Sequence, residues 1–231
     1  MKIKLLSILG IVFLSFLPFN NVEAAQDNRD LITEVFKEKG SLITAKYEGK
    51  DTHHCTAVML TPTLGLTAAH CKDGGFEEGT IGTIYPGESG LATDAGSGTV
   101  GTFNPYSDKD FALIKVSDPS TAFSHYLKNV NTTVRGVNFS NLEGKEVYSI
   151  GYPIEKGGYK QYRTEGVITS VNGETSLYTT LQSSEGQSGS GVFLKENDQL
   201  IGIIIQGYNL DTTIVVPITS HMADWINRIR N

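Results

Sequence analysis

The chain has 231 residues, 39% hydrophobic and 19% charged, enough to bury a substantial core and too apolar for a disordered chain. Its 25 glycines, about 11% against a usual ~7%, come with only 7 prolines, which points to many tight turns rather than a low-complexity linker. A formal charge of -6 with no Lys/Arg run argues against a nucleic-acid partner, because phosphate binding needs a concentrated basic face.

Two lysines stand in Met1 to Lys4, Leu5 to Phe19 is almost wholly apolar, and Val22-Glu23-Ala24 sets small residues ahead of a cut before Ala25. This reads as a signal peptide over residues 1–24. An uncleaved anchor is the weaker reading, since the apolar stretch falls short of a ~20-residue span. No later stretch is long and apolar enough to cross a bilayer, so the expectation is a secreted, extracellular chain with no membrane partner after signal cleavage.

Over residues 25–40, Leu31, Ile32, Val35 and Phe36 recur with helical spacing and Gly40 follows as a stop, predicting a short helix or a leader. Short β-like runs then take over: 42–47, 55–60, 65–69, 99–103, 111–116, 132–137, 145–150, 164–171, 177–182, 191–194, 200–206 and 212–216. Such short strands with Gly-rich punctuation predict an all-β protein, as barrels or a sandwich. The strand rhythm breaks between Ser117 and Thr132, a candidate linker. At the end, Met222, Trp225, Ile226 and Ile229 predict an amphipathic α-helix from Ser220.

Cys55 and Cys71 are the two cysteines. In an exported chain they read as a disulfide. The competing reading is zinc, with His53, His54 and His70 as further ligand types. Adjacent His-Cys pairs do not follow the separated spacing of structural zinc sites, so no metal is expected.

The strongest chemical signal is Gly186-Gln187-Ser188-Gly189-Ser190-Gly191, leading into apolar Val192-Phe193-Leu194. Its glycines would let backbone N–H groups converge beside one serine, as an oxyanion hole requires. Alone, the same residues could make an ordinary Gly/Ser hairpin. A second signal is Leu66-Thr67-Ala68-Ala69-His70-Cys71, where a disulfide would fix the aim of a general base. A third is Asp110, set immediately before the apolar strand 111–116, where a buried carboxylate needs a partner such as an imidazole N–H. Asp108 competes for that role, and either could instead cap the local turn. His53, His54, His125 and His221 read as packing or solvated residues, with His54 near the site.

Together these residues resemble the chymotrypsin-type serine endopeptidases. Thr67 to Cys71 is similar to that family's histidine motif, Asp110 to Lys115 to its aspartate motif, Gly186 to Gly191 to its nucleophile loop, and Met222 to Arg230 to its terminal helix. The nucleophile loop and the chain length look closest to the secreted bacterial glutamyl endopeptidases, with the staphylococcal serine protease-like enzymes. The resemblance implies two six-stranded antiparallel β-barrels, over residues 41–124 and 125–231, with a C-terminal α-helix. It implies a catalytic triad of His70, Asp110 and Ser188, an oxyanion hole from the Gly186 and Ser188 amides, and an acyl-enzyme route. Protein or peptide substrates, no cofactor and a monomer are further implications.

Three positions depart from the pattern. Gln187 replaces the aspartate that precedes the serine in trypsin-like members, so a freed N-terminus cannot pair with a carboxylate there. Ile204 stands where the glutamyl enzymes carry a carboxylate-reading histidine, and Gln182 where trypsin-like members carry a cation-binding aspartate. A specificity pocket of Gln182, Ser183 and Ile204 predicts a neutral or apolar side chain before the scissile bond. The rival readings are a catalytically silent binding module on the same fold, and an unrelated secreted β protein with an accidental match.

Overall fold

The computed structural model describes residues 26–38, 40–51, 53–90, 95–208 and 211–230. The signal-peptide reading of residues 1–24 lies outside the described residues. After the short strand β1 (Asp30–Leu31), the chain builds a closed antiparallel barrel from β2 (Thr44–Gly49), β3 (His54–Met59), β4 (Leu64–Thr67), β5 (Glu77–Pro86), β6 (Gly98–Pro105) and β7 (Ala112–Ser117). Its order is β2-β3-β4-β7-β6-β5. A helix, α1 (Thr121–Leu127), precedes a second barrel of β8 (Glu146–Gly151), β9 (Tyr162–Asn172), β10 (Ser176–Thr179), β11 (Gly191–Leu194), β12 (Leu200–Tyr208) and β13 (Thr212–Pro217). That sheet runs β9-β10-β13-β12-β11-β8 and closes through β8–β9 pairing, with β1 added along β9. Closure leaves neither barrel a long bare edge. Helix α2 (Ser220–Arg230) ends the described chain.

The apolar interior of the first barrel continues across the seam, where Tyr148, Phe193, Ile203 and Val216 of the second barrel join it, and the second barrel holds a further cluster of its own. Tyr47, Leu66, Ile84, Phe103, Phe111 and Ile114 fill the first. Val147, Ile168, Leu177, Val192, Ile201 and Val215 fill the second. Met222 and Ile226 of α2 belong to the first cluster although they follow the second barrel in sequence. Trp225 sets its ring edge-on against Tyr106 at 5.1 Å, and Arg230 donates to the Thr132 carbonyl at 2.8 Å. The terminal helix therefore fastens the two barrels together.

The structure departs from the sequence expectations at four places. The helical spacing at 31–36 does not make a helix: 30–31 is strand and 35–37 a turn. Ile32 and Val35 pack on Ile150, while Leu31 and Phe36 stay exposed, so the apolar residues do not share one face. The run 132–137 is no strand, because Val134 joins the first core, Val137 the second, and their segment straddles the seam. Strand β5 escaped the reading because Glu77 to Thr80 are exposed and a bulge separates Glu78 from Gly82. Helix α1 lies inside the candidate linker; Ser120 Oγ caps it by accepting the Phe123 N–H, and Phe123 and Leu127 are buried one turn apart.

Candidate active site

Strand register brings the first two groups together. Thr67 at the end of β4 lies opposite Ala112 at the start of β7, so His70, three residues beyond, and Asp110, two residues before, meet at one barrel rim. His70 sits in a single helical turn, Ala69–Cys71, whose last residue is disulfide-bonded to Cys55 on β3. With both sulfurs in that bond, neither is a thiolate for zinc.

Asp110 grips the histidine twice. Oδ1 accepts the His70 backbone N–H at 2.9 Å, and Oδ2 lies 2.6 Å from the ring Nδ1. On the far side of the ring, Nε2 lies 2.8 Å from Ser188 Oγ. An ionised Asp110 can only accept, so it fixes the tautomer with hydrogen on Nδ1 and a lone pair aimed at the serine hydroxyl. Burial alone would raise the Asp110 carboxyl, but hydrogen bonds from the His70 ring and from the His70 and Ala69 backbone outweigh it and hold it below the ordinary value. The pair is less enclosed than the strand-start position predicted, with side chains 46% and 30% exposed for His70 and Asp110. Asp108 lies on the exposed part of the loop and makes no such contact.

Ser188 comes from the second barrel, on the loop between β10 and β11, and the first barrel holds that loop. Thr56 on β3 donates its N–H to the Ser188 carbonyl and its Oγ1 to the Gly186 carbonyl, both at 2.8 Å. The Glu185 carbonyl accepts the Ile154 N–H at 2.9 Å. In a trans peptide the N–H points opposite to the carbonyl, so the Gly186 N–H faces away from Ile154. Among the described residues, neither the Gly186 nor the Ser188 N–H has a protein acceptor. Gly186 takes φ +91°, and a Cβ there would sit 2.3 Å from the Tyr152 carbonyl oxygen. Only glycine fits, as the sequence reading required of this loop.

The proposed pocket residues are placed unevenly. Gln182 is buried and spent on the N-terminal segment: its Oε1 accepts the Asn28 N–H and its Nε2 donates to the Gln26 carbonyl. Ser183 Oγ pairs with Thr213 Oγ1 at 2.7 Å, and Gly207 lies so close that a Cβ would be 2.5 Å from the Ser183 carbonyl oxygen. The Ile204 side chain packs in the second core, while its backbone bonds Gly189 and Ser190. His54 lies against the loop, with its ring where a Gly186 Cβ would approach within 3.0 Å. Burial and then the charge of Lys46 hold its imidazole below the ordinary value, against the pull of Glu48, the Tyr152 carbonyl and Glu185.

Sequence reasoning missed Thr56 and Arg29. Thr56 looked like one more strand residue. Arg29 lay in an unremarkable polar segment, yet it reaches Gln187 and Ser184. Gln187 carried the available signal: a buried amide beside the serine needs a partner from somewhere.

No curated protein matches this sequence. A solved structure of a Glu endopeptidase in complex with MPD superposes with a TM-score of 0.73 at 22% identity, covering 89% of this chain and 97% of that one. That likeness speaks for the fold. The family model described as a trypsin-like peptidase domain matches residues 55–203, from the disulfide through the nucleophile loop into β12. The chain belongs to the trypsin-like peptidase family.

Proposed function

We propose that the protein is a secreted serine endopeptidase in which His70, Asp110 and Ser188 form the catalytic triad. His70 Nε2 takes the proton from Ser188 Oγ as the oxygen attacks a peptide carbonyl. Negative charge gathers on the carbonyl oxygen, and the Gly186 and Ser188 N–H groups receive it. The imidazolium, steadied by Asp110, returns its proton to the departing amine. Water then enters, His70 takes its proton, and hydrolysis of the acyl-enzyme frees Ser188. The observation that carries this reading is the continuous contact from Asp110 Oδ2 through His70 to Ser188 Oγ, at 2.6 and 2.8 Å.

The side chain accepted before the scissile bond is neutral, apolar or amide-bearing. Gln182, Ser183, Ile204 and Thr213 contribute no ionisable group. The nearby cation, Arg29, is already paired with Asp27 and Glu155, which disfavours glutamate. The chain leaves the cell by its 1–24 signal peptide and works as a monomer on protein or peptide substrates.

The test is a mixed peptide library offered to residues 25–231 and to the same chain with Ser188→Ala. Cleavage after apolar residues or glutamine by the parent alone, with fluorophosphonate labelling of Ser188, is the expected result. A folded parent that neither cleaves nor labels would sink the enzyme reading in favour of a silent binding module. Cuts after glutamate would overturn the pocket reading only.

A further inference from the structure

Arg29 belongs to neither barrel, yet its side chain is 2% exposed. The guanidinium fills a pocket of acceptors. One terminal nitrogen donates to Gln187 Oε1 and to Ser184 Oγ, each at 2.8 Å. The other pairs with Asp27 at 2.9 Å and Glu155 at 2.5 Å, and Nε bonds Asp27 again. Ser184 Oγ also bonds the Glu155 carboxylate. Two carboxylates thus neutralise the cation while its fork faces the residue directly before Ser188.

Gln187 is fully buried. Its Oε1 accepts from Arg29 and from the Ser184 N–H at 3.1 Å, while among the described residues its Nε2 finds no partner. Turning the amide over would press an NH2 against a guanidinium and a backbone N–H, both donors, with only the Ser184 hydroxyl at 3.4 Å left to accept. Arg29 and Ser184 therefore dictate how Gln187 sits, and the protein tolerates an orphaned buried donor to keep it so. Gln187 lies between the two residues whose N–H groups are unclaimed, and its carbonyl accepts the Ser190 N–H at 3.0 Å. The same segment also clamps Gln182 through Gln26 and Asn28, and β1 anchors it along β9.

We propose that Arg29 is a positioning residue: through Gln187 its guanidinium holds the Gly186–Ser188 loop in the form that receives an oxyanion, so the loop is set by an internal side chain and not by the α-amino group of the chain. Residues 26–31 are then a permanent strap of the enzyme, and releasing them disarms it. This rests on the endopeptidase reading.

The experiment uses chain 25–231, which holds every described residue. Arg29→Ala and Arg29→Lys are compared with the parent for kcat, KM, fluorophosphonate labelling rate and melting temperature, with and without about 20 mM ethylguanidinium. A parallel parent carries Met-Gly ahead of Ala25. The expected result is a fall of roughly 100-fold in kcat for Arg29→Ala, the scale of a lost oxyanion donor, with KM within about threefold. Ethylguanidinium restores part of it, Arg29→Lys is intermediate because a point charge cannot match the fork, and the extended parent keeps its kcat. Unchanged kcat in both variants overturns the proposal, as does a loss that follows melting temperature and ignores ethylguanidinium. A tenfold loss in the extended parent also overturns it, by making the α-amine the latch. Should Arg29→Ala not fold, Arg29→Lys and the extended parent still decide. An inert parent removes the endopeptidase reading itself, and this proposal with it.

Discussion

Gly189 shows how little freedom single positions around the serine have. It holds φ +86°, and a Cβ there would sit 2.0 Å from the Thr56 carbonyl oxygen. Gly189→Ala is expected to cost about 2–4 kcal/mol and to slow fluorophosphonate labelling, as chemical denaturation and a labelling time course would show. Asp110→Asn is expected to fold normally and lose roughly 10^4-fold in kcat, because an amide no longer enforces the tautomer that presents a lone pair to Ser188. His54 supplies a stability effect. Its folded imidazole titrates below the unfolded value near ~6.5, so between those values the unfolded chain holds the extra proton. This contribution is full above about pH 6.5 and is lost as pH falls through the window beneath it. Replacement by His54→Phe, which also removes a buried Nε2 that has no partner among the described residues, should flatten the fall in melting temperature from pH 7 to 5. At this scale the sequence was legible where a residue's chemistry is local: His70, Asp110 and Ser188 each stand in a short motif. Arg29 was opaque because its role depends on a partner 158 positions away.

Between elements, the decisive feature is the pairing of β4 with β7, which sets His70 beside Asp110, and the disulfide that ties the histidine turn back to β3. Replacing both Cys55 and Cys71 by alanine is expected to cost about 3 kcal/mol, a drop of roughly 6–12 °C in melting temperature, with activity falling more than stability explains. Comparing kcat with the unfolding midpoint at 25 °C would separate the two effects. Most strands could be read because barrel strands are short, apolar and bounded by turn residues. Strand β5 could not, since its first half is polar and bulged and owes its pairing to β2 and β6. The 132–137 run misled for the opposite reason: its valines are buried, but in two different cores. The α1 signal was present in Ser120, Phe123 and Leu127 and was outweighed by the surrounding turn residues.

Across the whole molecule, the site exists only where the two barrels meet, and α2 carries side chains from the end of the second into the apolar cluster that fills the first and continues across the seam. Ile226→Ala, at a fully buried position of that helix, is expected to lose about 2–5 kcal/mol. Peptidase activity should vanish on warming before circular dichroism reports loss of strand, because a small shift of one barrel parts Ser188 from His70; coincident transitions would contradict this. The two-barrel plan followed from the family resemblance more than from periodicity, which left a sandwich open. The order in which the chain supplies these parts has a consequence for the time before folding is complete. His70 and Asp110 lie in the first half, Ser188 in the second, and the helix that joins the barrels comes last. A polypeptide emerging N-terminus first therefore holds no assembled contact of His70, Asp110 and Ser188 until almost its whole length is available, and on the proposed endopeptidase reading it cannot attack itself or its neighbours while it is being made.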